Sequence, residues 1–502
     1  MNVAPESIEN EPQTAEQIDV LIVGAGISGI DAAYHLQTQC PDKSFVMLEN
    51  QDSFGGTWIT HKYPGIRSDS DLFTFGYGWK PWSGPPIATA EEILKYLDEV
   101  LDEHDLRRHI RFRQQVEAAT WDSESATWSV SVRDLETGGL RRFVANFLWM
   151  CVGYYRHEKG YTPDFPGMER FQGPIVHPQT WPEDLDYADK KVVVIGSGAT
   201  AATLIPAMAE DVERITMLQR SPTYFFAAPN RNDVANMLRE LEVPEEWTHE
   251  IARRKVLADQ KLITRRSFEE PDALRQELLA GARAYLGDSV DIDRHFSPSY
   301  RPWRQRLAFV PDGDLFKAIR SGKADVVTDQ IECFTENGIQ LQSGDHLEAD
   351  IIVTATGFNL SMMGDIDFRV DGDKVDFAQT FGHRGIMFTG VPNMAWVFGY
   401  LRTSWTMRAD LVSAFVCRLL AHMQEKGATS VTPELREEER DMPALPFIDD
   451  ENFNAGYLMR NMHIMPKQGD RAPWTFSQDY YTEKDEIPAT DLEDGTLVYR
   501  GG

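Results

Sequence analysis

Ile18-Asp-Val-Leu-Ile-Val-Gly24-Ala-Gly26-Ile-Ser-Gly29 is a β-branched run that breaks into glycines and continues with helical spacing through Ala32, Ala33 and Leu36. The next apolar run, Phe45-Val-Met-Leu48, ends on Glu49 and closes a β-α-β unit of the parallel, doubly wound type. The same pattern returns at Lys190-Lys-Val-Val-Val-Ile195, Gly196-Ser-Gly198-Ala-Thr-Ala201 and Ile215-Thr-Met-Leu218. The expected fold is therefore α/β, with two dinucleotide-binding, Rossmann-like domains.

The residue types at the two loops indicate which nucleotides they take. In the first, Gly24 makes the turn, Gly26 lets backbone approach a pyrophosphate, and Gly29 permits close helix packing, so the helix N-terminus faces the phosphates. Glu49, twenty residues after Gly29, stands where a carboxylate accepts from ribose hydroxyls, which suits FAD or NAD. Gly55-Gly56-Thr57-Trp58 follows directly, where two-dinucleotide flavoproteins run along the flavin, and this selects FAD. Disulfide reductases of this architecture carry a cysteine pair here; Trp58 and Ile59 exclude dithiol chemistry. In the second loop, Gly196, Gly198 and Ala201 lead to a strand that ends on Gln219-Arg220-Ser221 rather than on an acid. Arg220 can pair with a 2′-phosphate and Ser221 adds a hydroxyl donor, so NADPH is expected over NADH.

Around these loops the chain divides into an acidic leader expected to be disordered (1–17), the first part of an FAD-binding domain (18–155), an interdomain linker (156–187), an NADPH-binding domain (188–345) and a segment (346–502) that completes the first domain and wraps its surface. A charged, helical stretch at about 233–293 reads as an insertion in the second domain. Val116–Val132 and Phe143–Cys151 read as strands with a turn near Asp134–Gly139, and Ala349–Thr354 as a buried strand. Asp410–Met423 has the spacing of an amphipathic helix.

Composition narrows the function further. A net charge of -29 argues against nucleic acid as a partner, since phosphate backbones need a basic footprint. No apolar run is long enough to span a membrane. Cys40, Cys151, Cys333 and Cys417 are far apart and form no C-x-x-C pair, so the expectation is a cytoplasmic protein with neither disulfides nor a metal site. His104 and His109 are five apart, not a ligand pair, and Asp371-Gly-Asp373 reads as a turn.

Two signatures carry a family resemblance. Phe171-x-Gly173-x-x-x-His177-x-x-x-Trp181-Pro182, on the linker, is similar to the fingerprint of the Baeyer–Villiger flavin monooxygenases. Gly55-Gly56-Thr57-Trp58-x-x-x-x-Tyr63-Pro64-Gly65-x-x-x-Asp69 fits a second family signature. Within the family, Tyr63–Asp71, His177–Tyr187 and Val193–Ala201 most resemble the ethionamide-activating subgroup of mycobacteria. The resemblance implies FAD, NADPH and O₂. It also implies a C4a-peroxyflavin that attacks a ketone carbonyl to give an ester or lactone, with aliphatic ketones as substrates and sulfide oxidation as a side activity. It further implies two candidate catalytic residues, Asp69 and, in Trp303-Arg-Gln-Arg306, Arg306. A fixed guanidinium suits this chemistry because it stabilises a developing oxyanion in a dry pocket. Many relatives have a Lys before that arginine which reaches the NADPH phosphate; Gln305 here leaves Arg220 with more of that contact.

Two other readings compete. One is N- or S-oxygenation in the same scaffold, against which Trp181-Pro182 and Arg306 favour the ketone. The other is a flavin-binding sensor without turnover, against which stand the intact glycines of both loops with Asp69 and Arg306. The natural substrate and the oligomeric state are not written in the sequence.

Overall fold

Two sheets, one for each glycine loop, organise the chain; the first is mixed and the second parallel. The computed structural model describes residues 15–501, so the leader expected at 1–17 lies outside the described residues up to position 14. The first strand, β1, already begins at Glu16 and runs to Val23.

β1 is the centre of the first sheet because its residues from Val20 to Val23 are apolar on both faces and buried. It pairs in parallel with β2 (Phe45–Leu48), Val20 opposite Phe45. On its other side it pairs in parallel with the C-terminal half of a long strand, Leu140–Met150. That strand continues an antiparallel meander with Gln114–Asp122 and Thr127–Asp134. The stretch read as strand from Val116 to Val132 is thus a hairpin: Asp122 Oδ1 accepts from the amides of Glu124 and Ser125, and the chain reverses before Thr127. The first helix, α1 (Ile27–Gln39), lies on β1 with Ala32, Ala33 and Leu36 buried against the sheet. Over it packs the helix Trp405–Lys426, longer than the amphipathic spacing suggested, through Val412, Phe415, Val416 and Leu419.

The second sheet has the strand order Ala324–Thr328, Arg214–Gln219, Lys191–Ile195, Ile351–Thr354, Ile175–Val176. This corrects the division at 345/346. Ile351–Thr354 pairs with Lys191–Ile195, Ile351 opposite Val192, and so belongs to the second sheet rather than to the completed first domain. A short run buried on both faces reads identically in either sheet; only its partner decides. The linker itself donates Ile175–Val176 as the edge strand of the same sheet. The chain re-enters the first sheet at Asp367–Val370, parallel to Ala118–Trp121, and adds Met394–Trp396, parallel to Leu148–Met150.

The insertion consists of the helices Asp233–Glu240, Glu245–Glu269, Pro271–Leu286 and Ile292–His295. The longest docks on the first unit: Arg253 donates to the carbonyls of Phe73 (2.9 Å), Thr74 (3.3 Å) and Gly76 (3.2 Å), and His249 Nδ1 accepts from the amide of Trp82 at 3.0 Å.

The chain passes between the two units twice, and the two crossings lie side by side. Tyr155 and Leu360 form an antiparallel bridge. The Arg156 amide donates to Asn359 O at 2.9 Å and the Tyr161 amide to Gly357 O at 3.0 Å. The Asn359 side chain returns bonds to the carbonyls of Lys159 (3.0 Å) and Gly160 (3.1 Å), and Arg156 pairs with both oxygens of Asp365.

Candidate functional site

Both glycine loops open into one cavity of about 1180 Å³, larger than the ~300–1,000 Å³ that single small ligands usually occupy. Its walls include Gly24, Gly26, Glu49, Gly56, Thr57, Trp58 and Asp69 from the first unit and Gly196, Gly198, Arg220, Ser221 and Arg306 from the second. The remaining loop positions do not face it. Gly29 and Ala201 are buried under their helices, and Phe171, Gly173, His177 and Trp181 stand behind the wall.

The glycines divide by what a side chain would meet. A Cβ on Gly24, whose φ is +101°, would sit 2.6 Å from Cys151 O, and one on Gly29 only 1.9 Å from Gly24 O. Those two are required by the fold. At Gly26 the nearest atom to a Cβ is Gly56 Cα at an ordinary 3.5 Å, and at Gly198 nothing lies within 4 Å. The chain has no internal need for glycine there; the bare backbone faces the cavity, as close approach of a pyrophosphate demands. Gly196, with φ +126°, backs onto Ala355 O at 2.3 Å.

Glu49 is buried at the end of β2, its Oε2 accepting from Ala25 N (2.8 Å) and its Oε1 from Gln51 N (2.9 Å). Burial raises its pKa although these amides pull the other way. Each oxygen keeps a lone pair for a hydroxyl donor. Arg220 is exposed at the cavity's edge and forms no ion pair among the described residues.

Arg306 and Asp69, 237 positions apart, meet in the cavity wall. Asp69 does not cap the one-turn helix Leu72–Phe75, a task performed by Asp71. Its carboxylate takes Arg306 Nε and Nη2, the latter at 2.6 Å; Nη2 also donates to Ser70 Oγ at 3.0 Å, and Nη1 to Leu401 O at 3.0 Å. Four of the five guanidinium N–H groups are thereby spent, and one on Nη1 is left. Burial alone would lower the Arg306 pKa; the facing carboxylate more than offsets it, so the guanidinium stays charged.

On the linker, His177 Nδ1 accepts from Gln179 N at 3.1 Å, so Nε2 carries the proton and donates to Gly357 O at 3.0 Å. Burial lowers its pKa, in keeping with a neutral ring. Gly160 leaves room for it, since a Cβ there would fall 2.0 Å from the imidazole. Trp181 is buried in the core of the second unit, and Gly173 lies under Asp350 O at 2.1 Å from a would-be Cβ. No metal-ligand spacing stands out in the sequence, yet the fold brings Asp31, His35 and Asp410 within 4.8 Å of one another, behind α1 and away from the cavity. Asp31 is occupied by Ser413 and Trp79, and burial with the neighbouring Asp410 raises its pKa well above the usual carboxylate range.

Comparison with known proteins bears on this arrangement. The flavin-binding monooxygenase-like family matches residues 82–233, and an NAD(P)-binding Rossmann-like domain matches residues 22–99. The FAD-containing monooxygenase EthA of Mycolicibacterium smegmatis is 47% identical over 96% of this chain and 97% of its own length. A probable FAD-binding monooxygenase, AlmA of Acinetobacter baylyi, is 44% identical over 96% of each. The chain belongs to the flavin monooxygenases. Among solved structures, a closed form of cyclohexanone monooxygenase (TM-score 0.73, 20% identity) and an oxidised steroid monooxygenase bound to NADP (TM-score 0.72, 23% identity) share this fold. Each is matched over 97% of this chain and 100% of theirs.

Part of this monooxygenase's cavity was not foreseen. Tyr154, Tyr155 and Tyr457 line it near Arg306, with Tyr154 Oη 2.8 Å from Tyr155 Oη and 3.5 Å from Tyr457 Oη. Their position after the strand Leu140–Met150 was a usable signal for the first two, since ligands in α/β folds gather at the carboxyl ends of strands. Nothing in the tail sequence marks Tyr457. Among the described residues no helix is long and apolar enough to cross a membrane.

Proposed function

We propose that this flavin monooxygenase uses NADPH and O₂ to insert one oxygen atom beside the carbonyl of an aliphatic ketone. Ketone, O₂, NADPH and a proton become ester or lactone, water and NADP⁺. FAD, when bound, supplies oxygen activation with electrons from NADPH. The first loop, Glu49 and Gly56-Thr57-Trp58 would hold FAD; Gly198, Arg220 and Ser221 would hold NADPH.

The observation that carries the reading is the single unspent N–H of Arg306, on a guanidinium locked by Asp69, Ser70 and Leu401 O and facing the cavity. When a carbonyl carbon is attacked, its oxygen becomes an oxyanion, and a pre-aimed charged donor stabilises it without reorganising. Asp69 acts by holding that donor in place. The hydroxyls of Tyr154, Tyr155 and Tyr457 favour a second reaction at the same site, sulfide oxygenation, in which a nearby proton donor assists transfer of an electrophilic oxygen.

Incubation of the purified protein with NADPH, ¹⁸O₂ and a panel of ketones and sulfides tests this. Labelled esters are the expected product; sulfoxides alone would establish the second reaction instead. NADPH oxidation without any labelled product would overturn both.

A further inference from the structure

Four arginines, Arg156, Arg220, Arg306 and Arg460, and no lysine line the cavity among the described residues. Two of them are neutralised within the chain, Arg306 by Asp69 and Arg156 by both oxygens of Asp365. Arg220 is offered to the coenzyme's 2′-phosphate. Arg460 has no such assignment. It lies in the short helix Gly456–Asn461, one turn after Tyr457. Its guanidinium stacks on the ring of Tyr161, 3.6 Å from the centroid, and forms neither an ion pair nor a hydrogen bond among the described residues.

Nothing within the described chain answers this charge. Burial lowers the Arg460 pKa and only the Tyr161 phenol opposes the shift, so no carboxylate acts on the guanidinium. The chain holds 79 Asp and Glu against 50 Lys and Arg, which makes a cation without a carboxylate partner unusual here. Stacking on Tyr161 holds the guanidinium in place and uses none of its five N–H donors. Two glycines that also line the cavity leave it room. A Cβ on Gly456 would press on Nη1 at 3.3 Å, and one on Gly357 would lie 3.5 Å from Nη2.

The neighbours of Arg460 set it along the path of one ligand. Gly357 lies two residues beyond Ala355, whose carbonyl closes on the turn of the second loop at Gly196. Tyr161, Pro163 and Phe165 form one stretch of the cavity wall, and Phe165 packs in the cluster that holds Leu218, two residues before Arg220. At the other end, Tyr457 stands with Tyr154 and Tyr155 near Arg306. Arg460 therefore falls between the residues offered to the 2′-phosphate and those of the candidate oxygenation site. In NADPH the group between adenosine and nicotinamide is the pyrophosphate, a doubly charged anion. The second loop meets it with neutral backbone amides at a helix N-terminus. We infer that Arg460 is the charged contact of that pyrophosphate, a coenzyme-positioning residue supplied from outside the second sheet. A guanidinium fork matches phosphate oxygens, and charge-assisted pairs of this kind are the strong ones. Leu458, on the same short helix, is packed in the core of the first sheet, so a coenzyme bound this way is gripped by both units. The inference rests on the reading of the second loop as the NADPH site.

The test measures binding to the FAD-loaded protein by titration with NADP⁺, NAD⁺ and 2′-AMP, which carries the 2′-phosphate and no pyrophosphate. In Arg460→Gln the Kd for NADP⁺ and that for NAD⁺ should both rise about tenfold, with 2′-AMP binding unchanged. Arg220→Ala should show the complementary pattern, weaker NADP⁺ and 2′-AMP binding with NAD⁺ unaffected. Arg460→Lys should recover part of the loss, and added salt should narrow the gap between wild type and Arg460→Gln. Flavin content and melting temperature should stay near those of wild type, since Arg460 is exposed. Unchanged Kd values for both dinucleotides in Arg460→Gln overturn the inference and leave an arginine stacked on Tyr161. So does loss of FAD from that variant, which would assign the cation to the flavin, and so does a rise confined to the KM of the ketone. If the wild type binds none of the three probes, the NADPH reading of the second loop fails and takes the inference with it.

Discussion

Replacing Arg306 removes from the cavity wall a charged donor held by Asp69, Ser70 and Leu401 O. In Arg306→Ala the Asp69 carboxylate loses two N–H donors and Ser70 and Leu401 O one each, so the oxyanion loses its stabiliser and the wall loses its brace. Loss of a single pre-organised donor costs about 2.7–4 kcal/mol, a hundred- to thousandfold in ester formation. Arg306→Lys should do little better. Its three donors on one nitrogen cannot span Asp69, Ser70 and Leu401 O and still leave one for substrate. The assay follows NADPH consumption, hydrogen peroxide and ester together. Ester should collapse in both variants while NADPH consumption survives in part, its oxygen appearing as hydrogen peroxide. A melting curve within a few degrees of wild type for Arg306→Lys shows that the loss is chemical and not unfolding. Ester formation by Arg306→Ala near the wild-type rate would refute the reasoning, and with it the role of Asp69.

Gly26→Val should fold, since a Cβ there has ordinary clearance, yet be isolated colourless because the side chain occupies the pyrophosphate path; Gly29→Ala should fail to fold, its Cβ colliding with Gly24 O. Flavin absorbance and circular dichroism separate the two, and a yellow Gly26→Val protein would contradict the assignment of the first loop. Arg220→Ala should raise the KM for NADPH about ten- to a hundredfold, roughly 1.5–3 kcal/mol, with that for NADH nearly unchanged; equal effects on both coenzymes would sink the phosphate contact. His249, buried between the insertion and Trp82, has its pKa pushed down to about 4 by burial, with Arg253 adding to the shift. A depressed folded pKa means its contribution is complete above about pH 6.5 and is lost as pH falls towards 4, up to about 3 kcal/mol. His249→Asn should flatten the pH dependence of the melting temperature across that window, and an unaltered slope would show that His249 does not set it.

The sequence displayed the two β-loop-α units because their glycines are fixed by collisions the backbone cannot avoid, as at Gly24, Gly29 and Gly196. Strand membership was less legible. Ile351–Thr354 is buried on both faces and carries no mark of the sheet it joins, and its pairing with Lys191–Ile195 is a contact across more than 150 residues. The hairpin at Asp122–Thr127 did have a local signal, an Asp followed by Ser-Glu-Ser, which the β-branched residues on either side obscured. Arg306 and Asp69 came from family resemblance; nothing in their spacing predicts a contact. Tyr457 is a product of tertiary placement, bringing a hydroxyl to the cavity from a segment with no motif.

The paired crossings between the units have a mechanical consequence. Two plies laminated by the bonds between 155–161 and 357–360 form a strap, not a string. A strap bends easily across its flat face and resists torsion about its length, because twisting shears every rung between the plies. Gly357 O takes two of those rungs at once, from the Tyr161 amide and from the ring of His177, so the fingerprint histidine is riveted to the returning ply although it belongs to the outgoing one. Any rotation of the second unit about the strap's length would have to break these rungs together, whereas a swing across the flat face would leave them intact.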